Sequence, residues 1–274
     1  MPDQDWIAFL QWALPQLHMR WQGFRKVRSQ VVKRIGRRLR QLQLADSSAY
    51  QTYLQQHPGE WQVLDGLCRV VISRFYRDRL LFGRLEQEVL PDLAAGIRGQ
   101  GNSRLRIWSA GCASGEEPYS VAIVWLLRLQ ALYPDIALDV LATDADPELL
   151  LRAKSACYPH SSIKNLPRSW REEVFIRNKD NYCLRPAFRT PVRFRQHDIR
   201  SPPPENSFHL ILCRNLVFTY FDHDLQLACL EHLGNTLLPK GYLIVSVHEQ
   251  LAETPGFSVV SRRLGIYRKT TTAA

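Results

Sequence analysis

RIWSAGCASGEEPYS, residues 106–120, decides the fold. Arg106–Ser109 alternates like a short strand, and Ala110-Gly111-Cys112-Ala113-Ser114-Gly115 follows as a run of small residues. Such a run lets a ligand come close to the backbone. Ser114 stands three residues before Glu117, the spacing of a capping box, and Pro118 suits a first helical turn. The reading is strand, turn and helix start, whose free N–H groups favour an anionic or polar ligand edge. An ordinary strand-to-helix connection reads the same way, because the dinucleotide-type glycine spacing is absent.

Outward from this stretch, towards the C-terminus, strands and helices alternate. Ile136–Thr143 reads as a buried strand ending in Asp144, and Val192–Gln196 as a strand leading to His197-Asp198. Phe208–Cys213 leads to Arg214-Asn215, Asp222–Leu238 reads as a helix and Tyr242–Val247 as a further strand. Phe257–Val260 and Gly265–Arg268 look like a closing antiparallel pair. Residues 157–190, with Pro159, Pro167 and Pro186, read as irregular, a short helical insert. In an open α/β sheet the ligand lies beyond the carboxyl ends of the strands. Those ends deliver the glycine turn with Glu117, then Asp144, Asp198 and Arg214-Asn215. A carboxylate after the second strand suits a ribose diol, and Asp198 suits an adenine amino group. Each also has a plainer use: Glu117 as a cap, Asp144 as an N-terminal helix charge, Asp198 as a turn former. Their conjunction is what points to a site.

Towards the N-terminus, residues 6–90 read as helices. Val27, Val31, Ile35, Leu39 and Leu42 recur at helical spacing. Arg25, Lys26, Arg28, Lys33, Arg34, Arg37, Arg38 and Arg40 surround them, with no acidic residue between Asp5 and Asp46. That imbalance reads as a docking face, against the alternative of a merely solvated one. Pro58-Gly59 breaks the helical run, and residues 94–103, with three glycines, read as a linker. The expected layout is a helical domain at 1–92, a linker at 93–104 and an α/β domain at 105–274.

The bulk composition agrees. The 274 residues are 45% hydrophobic and 23% charged, as in a globular chain able to bury a core. A net charge of +10 points to an acidic partner: protein, membrane surface or nucleic acid. The six cysteines form no C-x-x-C, which argues against a zinc site and a disulfide framework. No apolar run reaches membrane-spanning length, and Asp3 and Asp5 are unlike the start of a signal peptide, so a cytoplasmic home is expected.

These residues carry a resemblance. Ser73-Arg74-Phe75-Tyr76-Arg77-Asp78 resembles the T-x-F-F-R-[DE] segment of the CheR-type chemotaxis methyltransferases. Trp108–Ser120 resembles their cofactor turn, Ala142-Thr143-Asp144-Ala145-Asp146 their ribose motif, and Cys213-Arg214-Asn215 with Tyr220-Phe221-Asp222 their C-R-N segment. Arg37-Arg38-Leu39 through Tyr50 and Leu54 resembles their basic helical domain. The resemblance implies a Rossmann-like class I methyltransferase domain, with a mostly parallel seven-stranded sheet, behind a small all-α domain. It implies S-adenosylmethionine as cofactor, S-adenosylhomocysteine as product, and methyl esterification of glutamates on chemoreceptors. Arg77 and Ser73 would hold the cofactor from the helical domain, Arg77 at its carboxylate. Gly111 would form the turn, Glu117 would take the amino group and Asp144 the ribose. Asp198 and Ile199 would flank the adenine, and Arg214 and Asn215 would line the sulfonium end. Arg214 and Tyr220 are the expected catalytic groups, orienting the incoming carboxylate. No metal is expected, and nucleic acid is not the expected partner. An acidic receptor helix would dock on residues 25–40.

Departures from the pattern leave alternatives. Val71 stands where the family usually has Asn, and Asp198 where Asn is frequent. C-R-N-L-V-F-T-Y-F-D is one residue longer than the commoner form, so either Phe218 or Tyr220 fills the aromatic position. The 157–190 region shows no clear three-stranded receptor-tail insert. A methyltransferase with another substrate and a weakly active cofactor-binding adaptor are the competing readings.

Overall fold

The structure, a computed structural model, describes residues 3–251 and 256–270. It divides into two units. The first comprises the chain up to Ile72 together with Leu216–Leu227, and the second comprises Ser73–Asn215 and the chain from Ala228. The expected boundary near residue 92 therefore moves. The expected linker is instead the helix Leu90–Gly99, with Leu93, Ala94 and Ile97 buried. Its glycines cost about 1 kcal/mol each in helix propensity. Burying those three side chains outweighs that cost.

The first unit is helical: Asp3–Gln16, Trp21–Phe24, Arg28–Leu42, Ser47–Gln56 and Glu60–Cys68, with Val217–Tyr220 in the returning segment. On Arg28–Leu42, Val31, Ile35 and Leu39 are fully or nearly buried, as their spacing requires. Val27 caps the helix start and Leu42 ends it, both half-buried. The basic face is less uniform than its composition suggests. Arg28 pairs with Asp3, Arg38 chelates the buried Glu60, and Arg34 donates to the carbonyls of Leu67 and Arg69. Arg25, Lys26, Lys33, Arg37 and Arg40 remain exposed.

The returning segment is held tightly inside this unit. Met19 and Phe221 form an antiparallel bridge, with Arg20 N–H donating to Tyr220 O at 2.8 Å. The Arg20 side chain donates to the Phe218 and Thr219 carbonyls, and the Phe24 and Tyr220 rings lie 4.9 Å apart. A Cβ on Gly23 would stand 2.2 Å from Thr219 O, so the approach needs glycine there.

The second unit is built on a seven-stranded sheet. Its strands are β1 Arg104–Ala110, β2 Ala137–Asp144, β6 Val192–Gln196, β7 Phe208–Leu212, β8 Leu237–Ile244, β9 Phe257–Ser261 and β10 Ile266–Lys269. The order is β6-β2-β1-β7-β8-β10-β9; the first five run parallel and β10 and β9 antiparallel. Ile107, Val140 and Leu210 are fully buried in register across β1, β2 and β7, and Leu212 with Ile244, equally buried, continues the core between β7 and β8. Parallel strands covered on both faces read as near-continuous apolar runs, as β7 does, whereas the edge strand β6 alternates apolar and charged residues.

Two expectations for the insert are corrected. Between β2 and β6 lie β3 Cys157–Pro159, β4 Phe175–Asn178 and β5 Asn181–Leu184, a second sheet in the order β3-β5-β4. The region is thus three-stranded as well as helical. Strands of three or four residues leave too little periodicity to read, and Lys179-Asp180 is an unusual two-residue hairpin loop, Lys179 at φ +53°. A disulfide joins Cys157 to Cys183, which face each other across β3 and β5. The sequence spacing gave no sign of it. Among the described residues no helix is long and apolar enough to cross a membrane, and no cluster suits a metal ion.

Candidate active site

The strand order fixes where a ligand belongs. From β1 the chain moves outward through β2 to β6, then returns to β7 on β1's other side. The switch point lies between β1 and β7, and crevices at such points hold ligands in open α/β sheets.

The turn after β1 is wound by three left-handed residues, Gly111 at φ +78°, Ala113 at +50° and Gly115 at +91°. Gly111 N–H and Cys112 N–H both donate to Thr143 O at 2.8 Å, tying the turn to β2. A Cβ on Gly115 would meet Ala153 Cβ, Tyr158 Oη and Phe194 Cζ at 3.0–3.2 Å. The expected capping box is absent. Gly115 is the N-cap of helix Glu116–Val124, and Ser114 Oγ donates instead to Glu116 Oε2 at 2.9 Å. Glu117 is thereby left for another use.

That use lies at the switch point. Glu117 Oε1 accepts from Ser109 Oγ at 2.9 Å, and its Oε2 accepts from Arg214 Nη1 at 3.0 Å. Arg214 Nη2 donates to Asp78 Oδ2. The Arg214 side chain is only 3% exposed, and its Nε is buried with no hydrogen-bond partner. A buried guanidinium N–H without a partner is costly and marks a place where an acceptor belongs. Next along the backbone, Asn215 is left-handed at φ +53°, and its N–H donates to Glu249 Oε2 at 2.9 Å. The same oxygen accepts from Ser246 N–H at 2.7 Å. Glu249 is 2% exposed and thus staples the ends of β7 and β8.

Asp144 closes the other side of the turn: Oδ2 accepts from Ala113 N–H at 2.8 Å and Oδ1 from Asp146 N–H at 3.0 Å. Asp198 stands just after β6, with a partner two residues along the chain. Its two oxygens accept from Arg200 Nε at 2.9 Å and Nη2 at 2.7 Å, and Oδ1 also from Arg200 N–H. Its carboxylate thus serves its own turn, with Ile199 buried beside it. Ser73 and Arg77 lie before helix Arg79–Arg84 and belong to the second unit, not to the helical one as expected. Tyr220 belongs to the helical unit, where it packs on Phe24. Burial pushes the Cys112 thiol well above its ordinary value, so it is no thiolate nucleophile.

Gly111, Glu117, Asp144, Arg214 and Asn215 lie at one strand-end edge, with Ser109, Asp78 and Glu249, which the sequence did not single out, bonded among them. Asp78 was legible only as part of a motif. A buried acid after β8 was the available signal for Glu249. The arrangement fits S-adenosylmethionine. The orphan Arg214 Nε offers a donor, and the Glu117 and Asp144 carboxylates stand where ammonium and hydroxyl donors need acceptors.

Comparison with known proteins agrees. The model of the CheR methyltransferase SAM-binding domain matches residues 72–266, and that of the CheR methyltransferase all-alpha domain matches residues 26–64. A chemotaxis protein methyltransferase of Listeria innocua is 34% identical over 204 residues, 74% of each chain. Chemotaxis protein methyltransferase 2 of Pseudomonas aeruginosa is 33% identical over 217 residues, 77% of this chain and 74% of its own. Its namesake in Vibrio cholerae is 30% identical over 247 residues, 88% of this chain and 83% of its own.

Proposed function

This chain belongs to the CheR methyltransferase family, and from that premise we propose that it forms methyl esters on glutamate side chains of an acidic chemoreceptor-type protein. The observation that carries the proposal is the switch-point cluster: a buried arginine, Arg214, held by carboxylates with one donor still unspent. Bound there, S-adenosylmethionine supplies a methyl group on a positively charged sulfur. A glutamate carboxylate is ionised near neutral pH and needs no general base to attack it. The chain's task is then binding, alignment and exclusion of water.

Residue roles follow. Asp144 accepts from the ribose hydroxyls, the Gly111–Gly115 turn lets the ligand approach, and Glu117 takes the amino group. Arg77, with Ser73, takes the cofactor carboxylate. Ile199 gives the adenine an apolar neighbour, with Asp198 shaping that turn through Arg200. Arg214 orients the incoming glutamate carboxylate by charge-assisted hydrogen bonding, and Asn215 lines its approach. The exposed Arg25, Lys26, Lys33, Arg37 and Arg40 form the face on which an acidic receptor helix docks.

The test is methyl transfer from labelled cofactor to a chemoreceptor cytoplasmic fragment. The expected label is released by mild alkali and is lost when the receptor's methyl-accepting glutamates are replaced by alanine. Label that withstands alkali overturns the proposed substrate.

A further inference from the structure

Asp78 has no part in the roles above, yet its placement is specific. Two carboxylates, Asp78 and Glu117, converge on the single guanidinium of Arg214 beside the crevice between β1 and β7. The formal charge of this trio is minus one. Asp78 reaches it against local preference. It is the N-cap residue of helix Arg79–Arg84, where an aspartate ordinarily bonds the first free N–H groups, but its side chain makes no cap. Its backbone is left-handed, φ +66° and ψ +68°, and Tyr76 two residues earlier is also left-handed at φ +52°. Non-glycine residues stay in such conformations only when their surroundings impose it, and they gather at functional sites. What Asp78 obtains there is the ion pair with a nearly inaccessible Arg214.

The charge has a counterpart in the ligand chemistry. S-adenosylmethionine carries a sulfonium, an ammonium and a carboxylate, net plus one. S-adenosylhomocysteine has lost the methyl group and the sulfonium charge, net zero. The two differ little in shape, so charge is the main means of telling them apart. A site with one surplus negative charge favours the former over the latter. We propose that Asp78 sets this preference. By supplying the surplus carboxylate behind Arg214, it strengthens binding of the charged methyl donor relative to the neutral product. It acts as a positioning and specificity residue and takes no part in bond making. The inference rests on the cofactor class assigned above and is independent of which protein is methylated.

The experiment is calorimetric titration of the full chain with S-adenosylmethionine and, separately, S-adenosylhomocysteine. It compares the wild type with Asp78→Asn, Asp78→Glu and Asp78→Gly. Asp78→Asn keeps the shape and removes the charge. It is expected to shift the affinity ratio towards the product on the order of tenfold. Asp78→Glu is expected to keep the wild-type ratio within about threefold, as a charge-conserving change. Asp78→Gly adopts the left-handed backbone freely, so it removes the charge without strain and is expected to shift the ratio as Asp78→Asn does. An unchanged ratio in the two neutral variants overturns the proposal, whether both affinities hold or both fall together. A wild type that binds both ligands but esterifies no glutamate removes the proposed substrate and leaves this measurement decisive.

Discussion

Asp144 is committed at both oxygens to the backbone of its neighbours, so it is oriented before any ligand arrives. A preset acceptor of this kind contributes about 1.5–3 kcal/mol per charge-assisted hydrogen bond. Asp144→Ala is therefore expected to weaken S-adenosylhomocysteine at least tenfold by calorimetry, as is Arg77→Ala. Unchanged affinity in both variants dissolves the pocket assignment. His209 offers a test of a different kind. Its Nδ1 accepts from Arg106 N–H at 3.0 Å, which requires that nitrogen to be unprotonated, and burial holds the imidazole below its ordinary value. The unfolded chain then takes up a proton near pH 6.5 that the folded chain refuses, so stability is full above that pH and falls as pH drops below it. Denaturant titrations at pH 7 and pH 5.5 are expected to show a loss that is smaller in His209→Asn. An equal loss in both sinks the attribution to His209.

At the level of elements, two glycines make opposite predictions. Gly23 lies against Thr219 O with no room for a Cβ, whereas Gly36, inside helix Arg28–Leu42, has nothing within 4 Å. Gly23→Ala is expected to destabilise by about 1–3 kcal/mol through overpacking. Gly36→Ala is expected to stabilise by about 0.5–1 kcal/mol. Calorimetric melting of both variants checks the pair, and a shift of the same sign in both contradicts the packing described. The elements also show what a sequence can carry. β2 and β7 were legible as mostly apolar runs and β1 and β6 by alternation, and the ends of β1, β2 and β7 announced Glu117, Asp144 and Arg214. The insert was illegible because β3, β4 and β5 are too short to show a period. The Cys157–Cys183 link depends on strand register, which is a long-range property. Asp198 was read both as a ligand acceptor and as a turn former, and its chelation by Arg200, two residues on, had no sequence sign. Asp78 was hidden for the reverse reason: its partner is 136 residues away.

For the molecule as a whole, chain order and compact units do not coincide. Residues 216–227 interrupt the α/β unit to complete the helical one, where Phe218 and Phe221 are buried. A fragment beginning at Ser73 is expected to keep the seven-stranded sheet's strands but to leave Phe218 and Phe221 without Met19, Arg20 and Phe24. It is expected to bind more of a hydrophobic dye than the full chain and to melt less cooperatively. Equal dye binding and equally sharp melting count against that division. The same excursion bears on recombination between relatives. A crossover that replaces only the front of the gene confronts a foreign Gly23 with a native Thr219, and the misfit falls on the stretch that carries Tyr220. Viable chimeras should inherit both pieces from one parent, so breakpoints tolerated in this lineage should come in pairs.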